Sequence, residues 1–202
     1  MKYSDETMAK LLLASASPRR KQLLESAGLS LDIRIADIDE THRDGESAAD
    51  YVARMAYSKA KKIVDSAPPN TRVLAADTIV VCDGAILGKP ESEAHAFQML
   101  RQLSDRTHDV MTAVAIALTP KTPNQKILWN PFTVTTKVEF RRLSDAQIRA
   151  YIETGEPMDK AGAYGIQGRA AAFVKRIDGS YTNVVGLPLC EVVEILETLP
   201  VE

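Results

Sequence analysis

The sequence predicts an α/β protein. Apolar runs of strand length alternate with stretches of helical periodicity along the 202 residues, and that alternation marks helices laid on a sheet. The breaks between these runs hold cap residues, glycines and prolines at the positions where helices start and stop.

Taken in order, Lys10 to Ser15 reads as a first buried strand. Pro18 to about Ala27 reads as a helix, with Gly28 closing it. Ser47 can cap a long helix to about Ser66, which Pro68-Pro69 stops. Val73 to Cys82 is a strand with a turn at Asp83-Gly84, and Ser92 can cap a helix to about Leu103. Val110 to Leu118 is a strand, and 120–131 reads as a proline-rich surface loop. Over 133–141, Val134, Thr136, Val138 and Phe140 share one face, as in a strand covered on one side. Ser144 to Thr154 is a short helix ended by Gly155, Ala171 to Ile177 a strand, and Leu187 to Leu199 a last helix. No repeat or linker divides the chain over 1–202, which suits one large domain or two closely packed lobes.

Composition excludes several classes. Apolar residues make up 45% and charged residues 26%, with a net charge of −2, so nothing in the balance demands nucleic acid or an anionic membrane. No apolar run could span a membrane, and Met1 to Lys10 does not read as a signal peptide. A cytoplasmic protein is expected. The two cysteines, Cys82 and Cys190, form no CxxC pair and read as buried free thiols. His42, His95 and His108 are scattered and receive no role.

Five segments carry chemistry. In Ala14-Ser15-Ala16-Ser17-Pro18-Arg19-Arg20-Lys21 a strand runs through a serine-rich turn into a helix start. Three cations in a first helical turn oppose the dipole unless an anion sits there, and a triphosphate is the anion expected. A solvated basic helix start is the plainer alternative. Lys59 falls within the apolar stripe of Val52, Met55, Ala56 and Ile63, so it either snorkels or aims an ammonium into a cleft. Asp77 stands in the middle of a buried strand, where a carboxylate is costly without partners; it reads as a metal ligand or general base. Lys89, in Gly88-Lys89-Pro90, follows closely.

The acidic run Asp37-Ile38-Asp39-Glu40 is either a solvated loop or a source of a second carboxylate. If extended, it would project Asp37 and Asp39 together with Glu40 opposite. Asp77 with Glu40 suits magnesium, which takes one or two carboxylates and completes its shell with water and phosphate. Finally, Gly162, Gly165 and Gly168 surround Gln167, whose amide can read the edge of a uracil or thymine ring. A surface turn is the alternative there. Gly179-Ser180-Tyr181-Thr182-Asn183 reads as a further polar turn.

Together these segments resemble the Maf family of nucleotide pyrophosphatases. The likeness runs from Leu12 to Leu196 and rests on Ser15 to Arg20, Glu40, Lys59, Ala76-Asp77-Thr78, Gly88-Lys89-Pro90, Asp159 to Gly168 and Asn183 to Pro188. The resemblance implies a long bent mixed sheet flanked by helices, with two lobes around a deep cleft, as in inosine triphosphate pyrophosphatase. It implies a divalent cation (magnesium or manganese), a homodimer, and cleavage of nucleoside triphosphates between the α- and β-phosphates. Asp77, Lys59 and Lys89 match the family's catalytic positions, with Asp77 as base; Asp77 and Glu40 are the expected metal ligands. Ser15, Arg19, Arg20, Thr78 and Gln167 are the expected substrate contacts. Arg19, Thr78 and Gln167 resemble the branch acting on dTTP and UTP rather than the 7-methylguanosine triphosphate branch. A nucleotide-sensing regulator of cell division is the alternative from another class.

Overall fold

The structure is a computed structural model that describes residues 11–200. Lys10, the expected start of the first strand, and the N-terminal stretch before it lie outside the described residues. The strands are β1 (Leu11–Leu13), β2 (Leu31–Ile33), β3 (Arg72–Cys82), β4 (Ala85–Leu87), β5 (Thr107–Leu118), β6 (Leu128–Phe140) and β7 (Val174–Asp178). The helices are α1 (Pro18–Ser26), α2 (Ala48–Val64), α3 (Glu93–Leu103), α4 (Asp145–Ile152), α5 (Tyr181–Val185) and α6 (Leu189–Thr198). Short 3-10 turns cover Glu156–Asp159, Ala161–Ala163 and Arg169–Phe173.

The strands form one mixed sheet in the order β2-β1-β3-β5-β6-β7, with β4 paired to β3. β1 runs parallel to both β2 and β3, whereas β3–β4 and β6–β7 are antiparallel. The fold is therefore α/β with a mixed sheet and flanking helices.

The chain divides into two compact units. The first holds the described residues to Asp77, Ala113–Thr133 and the segment from Gly186 onward. Its core joins Leu11, Leu13, Leu24, Leu74, Val114, Ile116, Leu187 and Leu196. α2 buries Val52, Met55, Ala56, Ala60, Ile63 and Val64, and Ser47 caps it by accepting from the Asp50 N–H.

The second unit holds Thr78–Thr112 and Val134–Val185. Asp83 and Gly84, with φ of 49° and 79°, make the tight turn between β3 and β4; two positive φ values suit a two-residue hairpin. α4 opens with a reciprocal cap in which Ser144 and Gln147 each bond the other's backbone. Phe140, Tyr164 and His108 stack edge-on at 4.8–5.4 Å, and Tyr151 meets Phe173 at 5.1 Å.

Several expectations need correction. The loop expected over 120–131 ends early, because β6 begins at Leu128 and carries Pro131. Residues 171–173 are a 3-10 turn, so β7 starts only at Val174. The polar turn at 179–183 passes into α5 at Tyr181. Cys82 is buried as expected, but Cys190 is exposed at the outer face of α6 near the Glu194 carboxylate.

Candidate active site

The parallel pairing of β1 with β3 sets the site in the first unit. Leu13 lies opposite Leu74, so the turn after β1 comes beside the middle of β3, where Asp77 stands. The Ala14 N–H bonds the Leu74 carbonyl at 2.7 Å and fixes that register. Ser15 and Arg20 then turn inward. The Ser15 hydroxyl accepts from the Ser17 N–H at 3.2 Å and from Arg20 Nη1 at 3.1 Å. Arg20 Nε donates to the Gly186 carbonyl at 2.8 Å. Arg20 is thus a buried guanidinium held rigidly at the start of α1. Its burial lowers its pKa, the negative charge of Asp77 works in the opposite direction, and Arg19 beside it adds to the lowering. An arginine stays protonated through such shifts.

Asp77 is only partly covered, its side chain being 16% exposed. Lys59, projecting from the buried side of α2, places its ammonium 2.6 Å from Asp77 Oδ1 and 2.7 Å from Glu40 Oε1. Burial disfavours the charged amine, but the charge of Asp77 and the hydrogen bonds to Asp77 and Glu40 outweigh it, and the Lys59 pKa lies above its ordinary value. A lysine on an apolar helical stripe has found two carboxylates, which meets the cost of turning it inward.

The acidic run lies outside any strand; Asp39 Oδ1 accepts from the Thr41 N–H and hydroxyl at 2.9 and 2.6 Å, and Asp37 is exposed. Of this run, Glu40 is the residue that reaches Lys59. Two residues without an assigned role hold it there. The Tyr51 hydroxyl donates to the Glu40 carbonyl at 3.0 Å. Arg54 clasps Glu46 through Nε and Nη2 at 2.5 and 2.7 Å and bonds the Thr41 carbonyl at 3.0 Å. Burial, then the charges of Asp77 and Glu40, raise the Tyr51 pKa. Tyr51 and Arg54 face the loop from one turn of α2, but their main-chain partners carry no signature in sequence.

The second unit holds an uncharged set of its own. The Thr112 hydroxyl donates to the Asn183 carbonyl at 3.1 Å and lies 2.9 Å from the Thr78 hydroxyl. A hydroxyl has one proton, so Thr78 is the donor in that contact. Asn183, fully buried, donates to the Val110 carbonyl and the Thr136 hydroxyl, both at 3.0 Å. Lys89 is exposed on the segment between β4 and α3, and Gln167 is exposed at the turn over 165–168. Arg19 is half-buried in the first turn of α1.

Among the described residues no group of three or more His, Cys, Asp or Glu side chains is placed to hold a metal ion. Glu40 and Asp77 are a two-carboxylate set, each with a second oxygen beyond its bond to Lys59. Hard oxygen donors that already converge on one positive charge fit a magnesium ion, whose remaining ligands are water and phosphate.

Fold and site together define a mixed-sheet α/β protein with a carboxylate–ammonium–carboxylate centre and a buried guanidinium at a helix start. The chain belongs to the Maf family: the family model described as Maf-like protein matches residues 10–199. A protein of Geobacter metallireducens named dTTP/UTP pyrophosphatase is 52% identical over 192 residues, covering 95% of this chain and 96% of its own length. A protein of the same name from Salmonella typhimurium is 50% identical over 189 residues, covering 94% and 92%. A solved HAM1 protein of Coxiella burnetii aligns over 94% of this chain and 99% of its own at 17% identity and a TM-score of 0.47.

Proposed function

We propose that this protein hydrolyses nucleoside triphosphates to the monophosphate and pyrophosphate, with dTTP, UTP and modified pyrimidine nucleotides preferred. The observation that carries the reading is the Lys59 ammonium held between Asp77 and Glu40. The names of the half-identical relatives support the same reading.

Asp77 is the base that takes a proton from water attacking the α-phosphorus. Lys59 orients that carboxylate through Oδ1, leaving Oδ2 for the water. Arg20, Lys59 and Lys89 offset negative charge on the triphosphate and the departing pyrophosphate. Ser15 and Arg19 bind the phosphates, while Thr78 and Gln167 contact the base. Glu40 and Asp77 would hold a divalent cation, magnesium or manganese, which would neutralise phosphate charge and lower the pKa of water. Charge placement and positioning then supply most of the rate.

The reading extends to a single domain over 1–202, supported by the three long strands β3, β5 and β6, each of which supplies residues to both units. It also includes a cytoplasmic homodimer that meets nucleotide rather than nucleic acid or membrane. No helix among the described residues is long and apolar enough to cross a membrane. One calorimetric transition and a dimer mass by light scattering are the expected outcomes.

The deciding experiment is pyrophosphate release across dTTP, UTP, CTP, GTP, 7-methyl-GTP and ITP, with and without magnesium. Magnesium-dependent turnover greatest for dTTP and UTP is expected. Preference for 7-methyl-GTP or ITP, or nucleotide binding without pyrophosphate, would overturn it.

A further inference from the structure

We infer that Glu156 is a positioning residue for base selection: its carboxylate, with the Tyr151 hydroxyl, sets the turn that carries Gln167. This deepens the proposed function and rests on it.

Gln167 is exposed and belongs to no helix or strand. An exposed glutamine has several rotatable bonds, and it can discriminate a ring edge only if its backbone is fixed. The second unit supplies that fixation from beneath. Tyr151, at the buried end of α4, donates its hydroxyl proton to Glu156 Oε1 at 2.8 Å. The same hydroxyl accepts from the Gly165 N–H at 3.2 Å. Glu156 Oε2 accepts from the Arg169 N–H at 3.1 Å. One carboxylate and one phenol therefore tie down the backbone two residues before and two residues after Gln167.

The glycines show how closely the turn is seated. A Cβ on Gly168 would stand 2.2 Å from Glu156 Oε1, and a Cβ on Gly165 would stand 2.6 Å from Lys160 Cε. Both distances are far inside contact range, so neither position admits a side chain while Glu156 and Lys160 keep their places. Lys160 is held in turn: its ammonium donates to the Glu156 carbonyl at 2.7 Å and to Asp159 Oδ1 at 2.6 Å. The glycines flanking Gln167 are there because the turn lies directly on these two side chains.

Glu156 is thus a carboxylate occupied on both oxygens by hydrogen bonds from its own unit. It resembles a catalytic acid only in residue type. Its charge strengthens bonds to the Tyr151 hydroxyl and the Arg169 amide, and those bonds are spent on the geometry of the turn.

The test uses the full chain and compares kcat and KM for dTTP and CTP in wild type, Glu156→Ala, Glu156→Gln and Tyr151→Phe. Glu156→Ala should lower the dTTP-to-CTP ratio of kcat/KM by about tenfold, through a raised KM for dTTP with kcat nearly retained. Glu156→Gln keeps one acceptor oxygen and should restore part of the ratio. Tyr151→Phe keeps the ring packed on Phe173 and loses only the hydroxyl, so it should shift the ratio the same way. It also decides the matter should Glu156→Ala fail to fold. An unchanged ratio in Tyr151→Phe and in the folded Glu156 variants, or a loss confined to kcat, overturns the positioning role. Wild-type protein that releases no pyrophosphate from dTTP or UTP would instead remove the functional reading beneath it.

Discussion

In the first unit several of the polar side chains turned inward carry full charge. Arg20, Lys59 and Asp77 are all partly or wholly covered, and each is matched by an opposite charge or a fixed carbonyl. In the second unit a neutral network is buried: Thr78, Thr112, Thr136 and Asn183 form one chain of hydrogen bonds, and His108 meets the Tyr164 hydroxyl at 2.8 Å. Partly screened opposite charges can stabilise charge that develops during a reaction. Neutral networks hold shape and leave little for electrostatics to do. The contrast sets covered charges in the first unit against a buried neutral network in the second.

The sharpest way to break that contrast is to neutralise Asp77. Asp77→Asn should cost about 10²-fold or more in kcat, the scale of a lost general base, while leaving the melting temperature near wild type. Near-normal turnover by that variant would move the chemistry elsewhere. Next in size is Asn183→Ala, which takes the Asn183 donor from the Val110 carbonyl in a dry interior and removes one partner of the Thr136 hydroxyl. A loss of about 3 kcal/mol in unfolding free energy is expected in denaturant titrations. A change below a few tenths of a kcal/mol would show the neutral network to be dispensable.

The smallest effect is a difference in acid response. Burial lowers the His108 pKa from 6.5 to about 4, against a slight opposing pull from Asp109. A base whose folded pKa is depressed contributes stability above its unfolded pKa and loses it as pH falls. The second unit should therefore weaken between pH 6.5 and 4, by about 2 kcal/mol at pH 5. In the first unit the Glu46–Arg54 clasp, through its side-chain hydrogen bond, holds Glu46 down at about 2 from its usual 4.5. Its contribution is lost only in the lower window from 4.5 towards 2. Thermal melts of wild type and His108→Phe across pH 7 to 4 separate the two. Equal slopes would exclude His108 as the source.

How much of this was legible depends on where each signal resides. α1, α2, α3 and α4 could be placed because Ser17-Pro18, Ser47, Ser92 and Ser144 stand before periodic stretches. β2 and β4 have three residues each, too few for any period to show. The opening residues of β6 were hidden by Pro131, a residue type that disfavours strand interiors. Asp77 and Lys59 were readable because each is a charge in an apolar pattern. Glu40 could be nominated as the partner of Asp77, but its contact with Lys59 depends on a loop outside any strand. Tyr151 and Glu156 gave no signal, because their partners are main-chain amides of a distant turn.

One feature of α1 reaches further. Its first turn has no acidic side chain, its Ser17 makes no side-chain cap bond, and Arg19, Arg20 and Lys21 crowd the same end. On the proposed function, a polyphosphate docking there would add an anion at the positive end of the helix, so occupancy and stability would be linked. Resistance to heat and to proteases should then climb with the logarithm of nucleotide or pyrophosphate concentration, by about 2.7 kcal/mol at a hundredfold excess over Kd. The survival of the polypeptide would in this way be tied to the supply of the molecules it meets.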